Sequence, residues 1–113
     1  MRLQTSDVGN ARVVAVKEPR LDAAVAIAFK DRMRELAEDS PERVILDLAA
    51  VEFLDSSGLG ALVSVMKFLA PARRLELAGV HGAVAKVLRL TRMDRVFTIH
   101  GNADSATGPQ HAS

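Results

Sequence analysis

The run Val44-Ile45-Leu46-Asp47-Leu48 constrains the fold of this chain more than any other stretch. Apolar side chains fill it except at Asp47, and two of them are β-branched. A half-exposed strand alternates apolar with polar positions, and a surface helix spaces its apolar residues three and four apart. This run does neither, so Arg43 to Leu48 reads as a strand buried on both faces near the middle of a sheet. Downstream stand Asp55-Ser56-Ser57-Gly58, followed by Leu59, Leu62, Val63, Met66 and Leu69 at helical spacing until Pro71. Two serine hydroxyls therefore fall where a strand has ended and a helix begins. The first N–H groups of a helix have no partner within it, and its dipole favours negative charge there. A serine at such a place is either a cap or a residue that can carry a phosphate.

The rest of the chain alternates around that unit. Arg2 to Ser6 reads as a weak strand, Asp7-Val8-Gly9-Asn10 as a turn and Arg12 to Val16 as a second strand, which makes a hairpin. Glu18-Pro19-Arg20 breaks it, and Asp22 is placed to cap a helix whose Val25, Phe29, Met33 and Leu36 share one face. Leu75 to Ala78 reads as a strand, Ala83, Val84, Val87 and Leu88 line a third helix, and Val96 to Ile99 is a last strand. The order ββαβαβαβ predicts an α/β fold, a mixed sheet with helices packed on it. Residues 1–101 read as one domain. From Asn102 the composition turns to Asn, Asp, Ser, Gly, Pro and Gln, so Asn102 to Ser113 reads as a disordered tail.

Composition narrows the function classes. A chain of 113 residues, 49% hydrophobic, forms a single globular core. Its net charge of +1 carries no nucleic-acid or membrane footprint. The absence of cysteine rules out disulfides and thiolate chemistry, and that of Trp and Tyr removes the usual stacking platforms for bases and sugars. No apolar signal core or membrane-length stretch is visible, so a soluble cytoplasmic protein is the expectation.

Enzyme motifs fit poorly. A nucleophile elbow requires Gly-x-Ser-x-Gly, and Ser56 has Leu54 where the first glycine belongs. Gly58-Leu59-Gly60 opens a dinucleotide fingerprint, but Val63 replaces its third glycine. Ser64-Val65-Met66-Lys67 matches Ser-x-x-Lys without its companion motifs. The three histidines lack metal-ligand spacing, so no metal site or cofactor is implied.

Taken whole, Val44 to Leu48 followed by Phe53-Leu54-Asp55-Ser56-Ser57-Gly58-Leu59-Gly60 closely resembles the signature of the STAS domain in its stand-alone form, the anti-sigma-factor antagonist. Leu21-Asp22 is similar to that family's Leu-Asp at the first helix, and Leu88, Met93, Asp94, Val96 and Phe97 resemble its closing segment. The resemblance spans Arg12 to Ile99. It implies a partner switch. The unphosphorylated protein binds an anti-sigma factor that is also a serine kinase of the ATPase type. The kinase, supplying ATP and magnesium, phosphorylates the first serine of the pair, here Ser56. A protein phosphatase reverses the mark, and the antagonist itself catalyses nothing.

Around Ser56, the expected surroundings are Asp22, Asp47 and Asp55, together with Gly58, Leu59 and Gly60 as partner-binding positions, while Ser57 is expected to cap the helix. Two positions depart from the family pattern: Pro19-Arg20 replaces a glycine before Leu21-Asp22, and Arg92 stands where a glycine commonly closes the third helix. Arg92 is therefore expected to change that turn, because an arginine tolerates the left-handed conformation poorly. The helix from Gly58 to Ala70 carries a single charge, Lys67, and is apolar nearly all round, so it is either sandwiched by neighbours or offers a face to a partner. One alternative keeps the fold as an unphosphorylated STAS adaptor of a lipid transporter or secretion apparatus. Another is a nucleotide-binding or serine-hydrolase enzyme.

Overall fold

A computed structural model describes residues 1–107, and the apolar run at its centre forms β4 (Arg43–Asp47). Parallel neighbours flank it on both sides, β2 (Ala11–Val16) and β6 (Arg74–Ala78). Beyond them, β1 (Leu3–Val8) runs antiparallel to β2 and β7 (Thr98–His100) parallel to β6, giving a mixed sheet of order β1-β2-β4-β6-β7. The middle place explains the sequence of β4. Alternate side chains point to opposite faces, and both faces are covered, so Val44, Ile45 and Leu46 are all buried.

The two faces are unequal. Val44 and Leu46 belong to the main core, with Phe29 and Met33 of α1 (Ala26–Ala37), Leu62 and Val65 of α2 (Ser56–Leu69), and Val84 and Leu88 of α3 (Gly82–Leu90). Ile45 lies on the other face with Ala11, Val13 and Ala78, under Ala106 of a short α4 (Ala103–Thr107). Small residues dominate there, where one short helix is the only cover among the described residues.

Several expectations need correction. The disordered tail fails for residues 103–107, which form α4 with Ala106 buried against the sheet, so the domain extends past 101. Residues 108–113 of that expected tail lie outside the described residues. Asp22 does not cap α1. The helix starts four residues later, and Val25 at its N-cap offers no side-chain bond. The last strand begins at Thr98, since Val96 closes a 3₁₀ turn at Met93–Arg95. The expected order also lacked β3 (Arg20–Leu21) and β5 (Phe53–Leu54), which pair with each other in a parallel two-residue ladder outside the main sheet. Arg92 adopts the left-handed conformation after all, with φ 60°, and accepts the steric cost that a glycine avoids. On α2, Val65 is buried and Val63, Met66 and Phe68 are half-buried, so most of its apolar surface is taken up inside the fold.

Candidate functional site

The β3–β5 ladder builds the site. Its register, Arg20 opposite Phe53 and Leu21 opposite Leu54, delivers Asp22 and Asp55 to adjacent chain ends. The Pro19 carbonyl accepts from the N–H groups of Glu52 at 2.8 Å and Phe53 at 3.2 Å, so the Pro19-Arg20 departure is part of the ladder's anchor. Without this pairing, residues 33 positions apart in sequence would have no reason to meet.

Asp55 joins the parts. It is the N-cap of α2, with extended backbone, and its Oδ1 accepts from the Gly58 N–H at 2.8 Å. Its Oδ2 accepts from the Ala23 N–H at 3.3 Å. One carboxylate thus satisfies an otherwise free helix N–H and fastens α2 to the turn after Leu21. The Gly58 N–H, helped by those of Ala23 and Ser57 and by the nearby Arg20 charge, holds the Asp55 carboxyl below the usual carboxylate range, against a smaller opposing effect of burial. The helix therefore begins at Ser56, two residues before the expected start. The expected cap at Ser57 is corrected to Asp55, because Ser57 already lies inside the first turn.

Asp22 shapes the facing turn. Its Oδ1 accepts from the Ala24 N–H at 3.1 Å, and its Oδ2 accepts from Arg20 Nε at 3.1 Å. The Arg20 guanidinium also lies over the Phe53 ring, 4.1 Å from its centroid. Sequence reading overlooked Arg20 and Phe53 as members of the site. Their only signal was that each directly precedes a Leu-Asp pair, Leu21-Asp22 and Leu54-Asp55.

Gly58 is buried at the closest approach of helix and ladder. A Cβ there would fall deep inside the Leu21 carbonyl and against Leu54. Ser56, Ser57 and Gly60 are exposed and Leu59 is half-buried. Asp47 stands apart from this group. It ends β4, accepts from the Ala49 N–H at 3.0 Å, and its side chain sits against Gly79 in the neighbouring turn. Asp22 and Asp55 are therefore brought together, whereas the bonds of Asp47 lie elsewhere.

Chemically, the arrangement presents on the first turn of a helix two exposed hydroxyls with no side-chain bond among the described residues, bordered by two carboxylates and one arginine. The described histidines bond elsewhere: His81 Nε2 to the Ala49 carbonyl at 2.9 Å, and His100 Nε2 to Glu76 at 2.7 Å. Neither bonds a serine as a general base must. No cluster of acids and histidines among the described residues could hold a metal ion.

Comparison with known proteins converges on one family. The STAS domain model matches residues 2–106. The anti-sigma-F factor antagonist RsfB of Mycobacterium tuberculosis is 26% identical over 89 residues, 78% of this chain and 73% of that protein. A crystal structure of an anti-sigma factor antagonist from Mycobacterium paratuberculosis superposes with a TM-score of 0.82 at 28% identity, covering 93% of this chain and 89% of that one. The anti-sigma factor antagonist SpoIIAA, in its unphosphorylated form, shares the fold with a TM-score of 0.74 at 20% identity, over 93% of this chain and 92% of that one.

Proposed function

The chain belongs to the STAS domain family, and we propose that it is an anti-sigma-factor antagonist working by partner switching, a binding protein and not an enzyme. In its unmodified form it binds an anti-sigma factor that is also an ATPase-type serine kinase. Phosphorylation of Ser56 releases it, and a phosphoserine phosphatase restores it. Ser56, Ser57 and the exposed Gly60 form the centre of the docking surface, with Leu59 beside them and the Asp22 turn at its edge. Asp47 supports the adjacent turn.

The observation that carries this reading is the place of Ser56: an exposed hydroxyl at the first position of α2, directly after a cap supplied by another residue. Because Asp55 caps the helix, the Ser56 hydroxyl is not needed by the fold. The antagonist names of the two mycobacterial relatives support the same role.

Phosphorylation adds about −1.5 to −2 charges and three acceptor oxygens. At a helix N-terminus the N–H groups and dipole favour such a group, by roughly 0.3–1 kcal/mol for a surface anion, while Asp55 next door opposes it. The fold survives. A partner surface matched to a neutral hydroxyl must instead desolvate a charged phosphate, at a cost of several kcal/mol when no cation receives it. At about 1.4 kcal/mol per tenfold, affinity for the kinase falls by about a hundredfold or more.

The test is incubation with the cognate kinase and ATP, followed by peptide mapping and binding measurements. The expected result is phosphate on Ser56. Ser56→Ala stays folded and bound but unmodified, and Ser56→Asp mimics release incompletely because it carries less charge. Phosphate on Ser57 alone would move the acceptor. Intact binding with neither serine modified would favour the adaptor reading.

A further inference from the structure

On the sheet face opposite α1, α2 and α3, we propose a binding site for a small oxyanion, a carboxylate or phosphate group received by Arg43, Arg74 and His100. The register places these groups together. Arg43 pairs with Arg74 across β4 and β6, Glu76 with Thr98 and Ala78 with His100 across β6 and β7. Strand alternation puts all of them on the face that also carries Ile45 and Ala78. With Asn10 and the α4 residues Ser105 and Ala106 they line an open cleft of about 680 Å³, within the size range of small-ligand sites.

Among the described residues, the charges in this cleft do not balance. Glu76 is 5% exposed and supplies one negative charge. Arg43 matches it in a two-pronged pair, Nε to Oε2 at 3.0 Å and Nη2 to Oε1 at 2.7 Å, and His100 Nε2 reaches Oε1 at 2.7 Å. Arg74 is then surplus: its guanidinium comes only within 3.7 Å of Glu76 and stays 62% exposed. Glu42, the other acid acting on Arg43, is exposed to water, which screens it.

Donors are also left over. Arg43 spends Nε and Nη2 on Glu76 and on the Ala106 carbonyl, at 3.0 Å, which leaves Nη1 with no partner among the described residues. Among the described residues no buried side-chain nitrogen or oxygen lacks a bond, and the Arg43 side chain keeps 12% of its surface exposed. His100 Nδ1 and the Thr98 hydroxyl likewise have no partner among the described residues. A concave wall with surplus positive charge and unspent guanidinium donors matches an oxyanion, which guanidinium groups receive through paired N–H bonds.

Stability alone is a weak reason for such a cluster. Apolar residues of similar volume often serve a buried position as well as an ion pair does. The cleft is also separate from Ser56. It opens on the other face of the sheet, with Arg43 at the amino end of β4, whereas the Ser56 connection leaves the carboxyl end.

Amide NMR of the full chain, titrated separately with inorganic phosphate and with succinate, tests the site. Saturable shifts at Thr98, His100 and Ser105, with none across Ser56 to Gly60, are expected from at least one probe, and the tighter probe identifies the headgroup. Arg74→Gln, at an exposed position, should leave the remaining spectrum intact and weaken binding about tenfold or more. Sodium chloride at equal ionic strength should not reproduce the shifts. Absence of saturation with both probes, equal shifts with chloride, or undiminished affinity in Arg74→Gln would each overturn the proposal.

Discussion

Gly58 and Gly60 stand two positions apart on α2 and answer to opposite constraints. At Gly58 a Cβ meets the Leu21 carbonyl, a backbone group that can move only by opening the β3–β5 ladder. Gly58→Ala is therefore expected to destabilise the fold by about 3 kcal/mol or more, the range of severe overpacking. At Gly60 a Cβ meets nothing within 4 Å, and the backbone is helical. Gly60→Ala should therefore stabilise the free protein by roughly 0.5–1 kcal/mol, through the lower chain entropy of the unfolded state. Urea unfolding of both variants measures the contrast. Two equal destabilisations would mean that Gly60 has an internal role as well. If Gly60→Ala is more stable yet binds its partner less well, the glycine serves close approach at the docking surface. The string Asp-Ser-Ser-Gly marked the candidate site in the sequence, but the division of labour within it was hidden. Ser57 and Asp55 are both good capping residues, and only the backbone shows that the helix starts at Ser56 with Asp55 before it.

Among the elements, the ones that could be read in advance carry a strong period or a long apolar run. β4, α1, α2 and α3 all do, and the hairpin is announced by its turn residues. β3 and β5 are two residues each, too short for any period, and they exist because each supplies the other's hydrogen bonds. α4 is short and polar, and it is held by a long-range contact that composition cannot show, its Ala106 carbonyl accepting from Arg43. Arg12 is a similar long-range fastener. From β2 it bonds Asp7 of β1 through Nε at 2.7 Å and Nη2 at 2.9 Å. Its Nη1 donates to the Leu36 carbonyl at 2.8 Å and to Asp39 at 2.7 Å, so one side chain fastens the hairpin to the end of α1. Removing it leaves both carboxylates exposed enough to rehydrate, but it costs the bond to the Leu36 carbonyl and the packing of the stem. Arg12→Ala is expected to lose about 1–2 kcal/mol in urea unfolding. Arg32→Ala, which breaks an exposed pair with Glu35, should change little. Equal effects would show that Arg12 is only another surface charge.

At the scale of the whole molecule, Glu76, through Arg43, ties the sheet face that carries Ile45 to α4 and makes the fold sensitive to acid. Its bonds from Arg43, against the opposing effect of burial and with help from His100, lower its pKa from the usual 4.5 to about 2. The folded state therefore binds this proton less readily than the unfolded state does. The stabilisation is fully present above the unfolded value of 4.5 and is lost as pH falls through the window down to about 2. A separation of that size corresponds to about 3 kcal/mol at 1.36 kcal/mol per unit. Protonation weakens the Arg43 pair and with it the grip of Arg43 on the Ala106 carbonyl, so α4 should loosen first. Asp7, Asp39 and Asp55 are also lowered by their partners and add to the acid loss of the parent protein. A difference measurement removes them. Glu76→Gln cannot titrate and leaves Arg43 without a counter-charge, so its stability deficit should be largest at neutral pH and shrink as pH falls from about 4.5 to about 2. Chemical unfolding of both proteins across that range gives the two curves. Curves that remain parallel would mean that Glu76 titrates alike in the folded and unfolded chains, and that the cluster beneath α4 contributes nothing to acid sensitivity.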